Sequence, residues 1–473
     1  MRQRLPLPTV LSFILALTGL ACDPGGEVCV STPTVVCPGD EFGSISGSIL
    51  DNGLPLFGVT ATVSGSQAAP ITSDSRGAFE FERLSAGTYT VTISGYPSAC
   101  SDTGGSFSRE VTVADLQATD AAFLLNCSTA WSTISAGRQS CGTRTSGAAY
   151  CWGRGEFGAL GDGTNTNTNT PVAVESTSSM TQVVTYFNHG CGLVSGGVAY
   201  CWGQNTAGQL GTGDMNDTNS PTLVSGGLTF SSLGESGCAL DGGGNGYCWG
   251  GNDRGQLGDG TNNSSTAPVG VTGGLQFSSI GGGEEHACGL TTDGDVYCWG
   301  ENLRGQLGQG ANGAPENTPQ LVIGGRSYSD LAVGREFNCA ISGGEIWCWG
   351  RNIDGQTGQA DGSTKPTPVR VGSGTNWTDV TAGARHTCAL QGSQAFCWGR
   401  GGGGQLGNGA LDTTPTPSPV SGGLAFDRID GGVDHTCGLA GGVAYCWGLN
   451  VDGEVGDGTE TLRSVPTQVR LSS

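Results

Sequence analysis

His286-Ala-Cys-Gly-Leu-Thr-Thr-Asp-Gly-Asp-Val-Tyr-Cys-Trp-Gly300, followed by Gly305-Gln-Leu-Gly308, is the stretch whose reading decides the fold. Cys288 and Cys298 stand ten residues apart, around a turn with Gly294 at its third position. Three-residue hairpin loops favour glycine there because that position takes a positive φ. Two short strands joined by such a loop set the cysteines opposite each other, about 4.5 Å apart at Cα, within reach of a disulfide. Upstream, Phe277-Ser-Ser-Ile280 reads as another short strand; downstream, Pro319 leads into one that ends at Val322. Four short strands in about fifty residues is the content of one β-propeller blade.

The unit repeats. Cys-Trp-Gly begins at Cys151, Cys201, Cys248, Cys298, Cys348, Cys397 and Cys446, at steps of 50, 47, 50, 50, 49 and 49. The partners upstream are Cys141, Cys191, Cys238, Cys288, Cys339, Cys388 and Cys437. The first four pairs are ten apart, with Gly147, Gly197, Gly244 and Gly294 third in the loop. The last three are nine apart, which leaves two-residue loops: Gly343-Gly344, Gly392-Ser393 and Gly441-Gly442. Turn chemistry and spacing agree in every copy, so the expectation is an all-β, seven-bladed propeller with one disulfide per hairpin. A zinc site would want four ligands at tighter spacing. A disulfide over so short a loop contributes roughly 2–3 kcal/mol on the chain-entropy account. That matters in a chain with 87 glycines, each of which loses much backbone entropy on folding. The last copy ends in Pro466-Thr-Gln-Val469 and the first begins at Trp131 with no such strand before it. The C-terminal strand is therefore expected to close the ring against the first blade, hiding the sheet edges.

Charge disfavours one class of partner. Asp and Glu number 41 against 20 Lys and Arg, a net charge of −21, which repels phosphate backbones and disfavours nucleic acid. The N-terminus supplies the compartment. Arg2 and Arg4 precede an apolar run, Leu11 to Leu20, and then Ala21-Cys22. This resembles a bacterial lipoprotein signal, with residues 1–21 removed and Cys22 lipidated, although Gly19 stands where that family usually has Leu. An ordinary secretory signal cleaved nearby is the alternative. Nineteen cysteines, less Cys22, leave an even number in an exported chain, as a disulfide framework requires. The expected address is the outer membrane or cell surface, or else the periplasm or medium, with the membrane touched only through the N-terminal lipid.

The Gly-Gln-Leu-Gly loops at Gly208–Gly211, Gly255–Gly258 and Gly404–Gly407, the Trp-Gly before them and the Gly-x-x-His before the first cysteine carry a family resemblance. Residues 131–473 resemble the regulator of chromosome condensation repeat family, which implies a seven-bladed propeller. Gly158-Ala-Leu-Gly161, Gly355-Gln-Thr-Gly358 and Gly453-Glu-Val-Gly456 depart from the motif. The founder of that family is a guanine-nucleotide-exchange factor on chromatin, a role that export and disulfides disfavour. Secreted bacterial relatives look like binding scaffolds, one class of which grips β-lactamases. Residues 43–126, with alternating runs such as Gly58-Val-Thr-Ala-Thr-Val63 and Gly87-Thr-Tyr-Thr-Val91, resemble the carboxypeptidase regulatory-like domain, a small transthyretin-like β-sandwich. Residues 22–42 read as a linker. By elimination Cys100 pairs with Cys127 and Cys29 with Cys37, other connectivities being left open.

All four histidines, His189, His286, His386 and His435, stand two before the first cysteine of a copy, where the others have Gln139, Ser236 and Phe337. Residues two apart on a strand share a face, so this is read as a packing position between blades. A ring arrangement also keeps the four from converging on one metal ion. The recurrent loop aspartates, such as Asp214 and Asp217, match no complete calcium motif. Phe157, Arg254, Arg304 and Arg351 sit in or beside the Gly-Gln-Leu-Gly loops, where copies differ most, and are the candidate binding residues. Trp347 and Phe337 are expected in the core. No nucleophile elbow, phosphate loop or metalloprotease motif occurs. The reading is a monomeric scaffold for a protein or glycan, without catalytic residues, metal or cofactor; the competing reading is a hydrolase or lyase using carboxylates in the channel.

Overall fold

The computed structural model describes residues 42–470, apart from 52–53, 57–58, 66–67, 95–100, 103–107, 115–116, 127–129 and 177. The readings made on the leader and on Cys22, Cys29, Cys37, Cys100 and Cys127 lie outside the described residues. The protein is all-β: one 3-10 turn, Glu156–Gly158, is the only helix among the described residues.

Among the described residues the N-terminal part holds ten strands in two sheets. The strand Phe42–Asp51 lies at the centre of one, antiparallel to Ala78–Ser85 and parallel to Ala118–Asp120 and Phe123–Asn126. The other runs in the order Ile71–Thr72, Thr60–Val63, Gly87–Ser94, Ser108–Val113. Alternation along these strands sends Ile45, Phe79, Phe81, Val91, Ile93 and Val111 into a common apolar core.

From Trp131 onward the chain forms seven successive four-stranded antiparallel sheets, numbered 1–7 here. Sheet 1 comprises Trp131–Ala136, Gln139–Arg144, Ala149–Gly153 and Thr168–Ala173; sheet 7 comprises Arg428–Gly431, His435–Ala440, Val443–Gly448 and Arg463–Gln468. The second and third strands of each sheet carry the cysteines directly opposite each other. All seven pairs are disulfide-bonded, with Cα atoms 4.0–4.1 Å apart. The loops follow the spacing. Ser342 pairs with Glu345, leaving Gly343-Gly344 at φ 58° and 77°. Arg144 N–H donates to Ala148 O, which leaves a three-residue loop ending in Gly147 at φ 86°.

What joins one sheet to the next explains the repeat motif. The Trp of each Cys-Trp-Gly is at most 2% exposed, and its indole N–H donates to a carbonyl in the preceding sheet's Gly-Gln-Leu-Gly loop. Trp299 donates to Gln256 O at 2.9 Å, Trp349 to Gln306 O at 3.0 Å and Trp447 to Gln405 O at 3.0 Å. The loop's last glycine lies against the same ring: a Cβ on Gly258 would stand 2.7 Å from Trp299 Nε1, at φ +68°. Glycine is thus required for both conformation and space. The loop's Leu, as at Leu210, Leu307 and Leu406, is fully buried.

The series closes by the same contact, since Trp152 of sheet 1 donates to Glu454 O of sheet 7 at 3.0 Å. The expected route of closure is corrected. The strand Arg463–Gln468 pairs with Val443–Gly448 and completes sheet 7. Sheet 1 already has its own outer strand, Thr168–Ala173, so no place in it is vacant. Only Val469, just beyond that last strand, packs into the core shared with Trp131 and Trp152.

Candidate ligand site at the channel mouth

The first strands of the seven sheets surround a cavity of about 300 Å³. Its polar residues tie sheet to sheet. Gln182 bonds both the N–H and C=O of Leu233 at 2.9 Å. Asp330 accepts from Val380 N–H at 3.0 Å, and Asp430 accepts from Ala136 N–H at 2.8 Å and from Thr381 Oγ1 at 3.0 Å. Burial raises these carboxyls, Asp330 to about 6, with the Asp379 charge adding to it. The side chain of Glu235 alone among these acids has no hydrogen-bond partner among the described residues; burial, then the charge of Asp430, holds its pKa well above the ordinary value.

The mouth is formed by the turns between first and second strands and by the Gly-Gln-Leu-Gly loops. Those turns are alike in sheets 4 to 7. Gly283, Gly334, Gly383 and Gly432 each bond the carbonyl of the residue in the histidine register, and a Cβ on any of them would clash, Gly283 meeting Gly334 O at 2.5 Å. The histidine then reaches the next sheet. His286 Nε2 lies 2.9 Å from Asn338 Oδ1, His386 Nε2 2.8 Å from Thr436 Oγ1, and His435 Nε2 2.8 Å from Ser140 Oγ, the last across the closure. Each partner is the residue just before the first cysteine of the next sheet. Burial lowers all four histidines, His286 and His435 to about 4 and His386 to about 3, so each is neutral at pH 7.

Sheets 2 and 3 break this pattern together. Gly281 pairs with Cys288 in sheet 4, whereas in sheet 3 Gly234 pairs with Cys238, a turn three residues shorter. Ser236 is therefore a turn residue at φ +60°, not a strand residue in the histidine register, which corrects the alignment read from the sequence. The residue before Cys238 is Gly237, which offers no side chain to His189. His189 is 6% exposed and its ring has no hydrogen-bond partner among the described residues. The space left by the short turn is taken up in sheet 2: Tyr186 pairs with His189 where other sheets have glycine, and Phe187 follows at φ +39°. The two rings meet edge-on at 4.6 Å. Arg138 and Arg335 lie over Phe187 at 5.3 and 5.8 Å, and Arg335 pairs with Glu284 at 2.6 Å. A cleft of about 430 Å³ opens here, bordered by Phe187, Asn188, His189, Gln204, Gln209 and Gln256.

The residues singled out in the loops fall on the same face. Arg254 pairs with Glu301 at 3.2 Å and lies 3.8 Å from Glu285; Arg304 lies 3.8 Å from Glu336, with which Arg351 is also paired. These arginines form a belt of ion pairs between loops and turns rather than free cations. Phe157, at φ +61°, is 40% exposed. Phe337 is fully buried, while Trp347 is half-buried under Arg326, 3.6 Å from its ring. Three aliphatic side chains missed in the sequence, Leu303, Ile353 and Val451, occupy one loop position in sheets 4, 5 and 7 and are 59–61% exposed. Asp214 is bonded within its own loop by Asn205, Thr212 and Asn216. No group of three or more His, Cys, Asp or Glu side chains able to hold a metal ion occurs among the described residues.

Successive four-stranded sheets around a channel, coupled Trp to loop, define a β-propeller. The regulator of chromosome condensation (RCC1) repeat model matches residues 146–189, 196–232, 244–290, 293–341, 343–390 and 393–439, and a second model of the same repeat matches 180–209 and 277–306. The chain belongs to that repeat family. Solved structures agree on the fold. Yeast RCC1 (Prp20) bound to Kap60 is 22% identical, with a TM-score of 0.60 over 68% of this chain and 83% of that one. Prp20p of Saccharomyces cerevisiae, in a study of its binding to Gsp1p and histones, is 21% identical, with a TM-score of 0.60 over 72% and 88%. Human WBSCR16 is 19% identical, with a TM-score of 0.57 over 66% and 87%. No curated protein matches the chain.

Proposed function

We propose that this chain is an exported, monomeric, seven-bladed propeller. In this reading it is held at the cell envelope by lipid on Cys22 and spaced by a transthyretin-like β-sandwich over residues 43–126, and it binds a folded protein on the face of the Gly-Gln-Leu-Gly loops. The observation that carries it is the arc of Leu303, Ile353 and Val451, each 59–61% exposed at the same loop position, with Phe157 at 40% in the next sheet round. Solvent-facing aliphatics on rigid loops, rimmed by ion pairs, are the composition of a protein-binding patch. Seven buried disulfides fit an oxidising compartment and set aside the exchange-factor role by analogy. Of the channel carboxylates, Asp330, Asp379 and Asp430 are engaged by backbone N–H groups of the next sheet or strand and only Glu235 is left without such a bond among the described residues, so no pair of free carboxylates converges there, which favours binding over hydrolysis or elimination.

Capture from native envelope extract tests the reading, comparing the wild type with Leu303→Asp/Ile353→Asp. The proteins retained by the wild type are expected to be lost from the double variant. Identical sets from both proteins would overturn it. Loss of envelope association in Cys22→Ala is the expected outcome for the anchor.

A further inference from the structure

We infer that the cleft between sheets 2 and 3 is a saccharide-binding site, with one sugar ring packed against Phe187 and the arginines that lie over it, and its hydroxyls held by His189 and the amides around it. The inference rests on the binding-scaffold reading but uses a different part of the face from the aliphatic arc.

Three observations carry it. First, the cleft is built by two linked departures: the short turn Glu235–Gly237 removes the wall, and Tyr186-Phe187 replace the glycine-led turn beside it. Phe187 holds a positive φ, and strain of this kind persists where the surroundings and function demand it. Second, polar groups in the wall lack partners. His189 is 6% exposed, borders the cleft and has no acceptor, whereas its three counterparts are each bonded to the next sheet. Asn188 Oδ1 is buried without a partner. Gln209 and Gln256, which also border the cleft, use Oε1 to accept from Ala207 and Arg254 N–H groups, and their amide NH₂ groups have no partner among the described residues. Unmet buried donors and acceptors are costly unless a ligand satisfies them. Third, the carboxylates beside the cleft are compensated: Glu284 is paired with Arg335, and Glu285 lies 3.8 Å from Arg254, while Arg138, which also borders the cleft, stacks on Phe187 and leaves its guanidinium N–H groups to donate to hydroxyls. His189 is held neutral by burial, at about 4.

The ligand class follows from the chemistry. Alternating donors and acceptors, a neutral imidazole and an aromatic face fit a ring that is polar at its edge, apolar on its C–H faces, and uncharged. At about 430 Å³ the cleft falls in the range of small-molecule sites. A phosphate or carboxylate would meet Glu284 and Glu285, and a lone cation would compete with arginines already in place.

The test is saturation-transfer NMR and titration calorimetry on the full oxidised chain, with maltotriose, cellotriose and chitotriose as probes and acetyl-arginine amide as competitor. At least one trisaccharide is expected to bind. Phe187→Ala is expected to weaken it about tenfold or more, as loss of an aromatic anchor does. Ala207→Trp, an exposed residue at the cleft edge, is expected to block it while leaving thermal unfolding unchanged. His189→Gln is expected to retain more affinity than His189→Ala. Failure of all three sugars, binding that survives Ala207→Trp, or binding of acetyl-arginine amide alone would overturn the inference. Leu303→Asp/Ile353→Asp should leave sugar binding intact, so the two surfaces fail separately.

Discussion

Sheets 4 and 3 stand side by side and differ by three residues in one turn. In sheet 4 the longer turn brings His286 to Asn338 of its neighbour, so that sheets 4 and 5 are joined by a buried hydrogen bond. In sheet 3 the shorter turn ends in Gly237, and His189 of sheet 2 meets open space instead. The same imidazole is a clamp in one place and an unused donor or acceptor in the other. A repeat protein can thus convert a structural residue to a ligand contact without altering it, by shortening the next copy.

The largest expected effect tests the shared frame against which this difference is measured. Trp299→Ala removes a fully buried indole and its bond to Gln256 O, and should cost about 3–5 kcal/mol, read as a shift of the denaturant midpoint. Acidification comes next. Depressed histidines stabilise the fold above their unfolded pKa of 6.5, and that stability is lost as pH falls through about 4. Each contributes roughly 3 kcal/mol at the acid limit. Asp330 and Glu454, raised to about 6 and about 7, act the other way: their contribution is complete below their ordinary values and is lost as pH rises through those points. A thermal-unfolding series from pH 7 to 4 should therefore show a shallower decline for His286→Gln than for the wild type.

Third, His286→Ala leaves Asn338 without its partner and should cost about 2 kcal/mol. His189→Ala abandons no partner, and its cost should be clearly smaller in the same chemical denaturation. Equal costs would break the comparison. Last, replacing Glu235–Gly237 with a copy of Gly431–Thr436 supplies His189 with a threonine acceptor. The graft should add about 1 kcal/mol and fill the cleft, which loss of trisaccharide binding would report.

The repeat was legible because its physics is local. Glycine at fixed offsets between paired cysteines states the hairpin type, and Cys-Trp-Gly marks the register of every third strand. The link between Gly258 and Trp299 was not, since the two lie 41 positions apart and meet only when sheets stack. The cleft left a trace that passed unread. The single step of 47 among steps of 49 and 50 is the shortened turn, and Tyr186-Phe187-Asn188 stands where five copies have a glycine. The partners of the histidines could also be seen in retrospect as Asn338, Thr436 and Ser140 one place before a cysteine, with Gly237 the exception. Phe157, Arg254, Arg304 and Arg351 are legible in the sequence as residues of the variable loops, but the ion pairs that occupy the three arginines are not. Their ion-pair partners come from turns or neighbouring sheets distant in sequence.

The indole of Trp152 reaches back to Glu454 as every other such indole reaches to the sheet before it. The circle therefore has no seam. Each sheet is made from one continuous run of chain, and its loop is finished by whichever neighbour comes next. Joining residue 470 to residue 131 and reopening the chain in any other connection between an outer strand and the next first strand should give the same wheel.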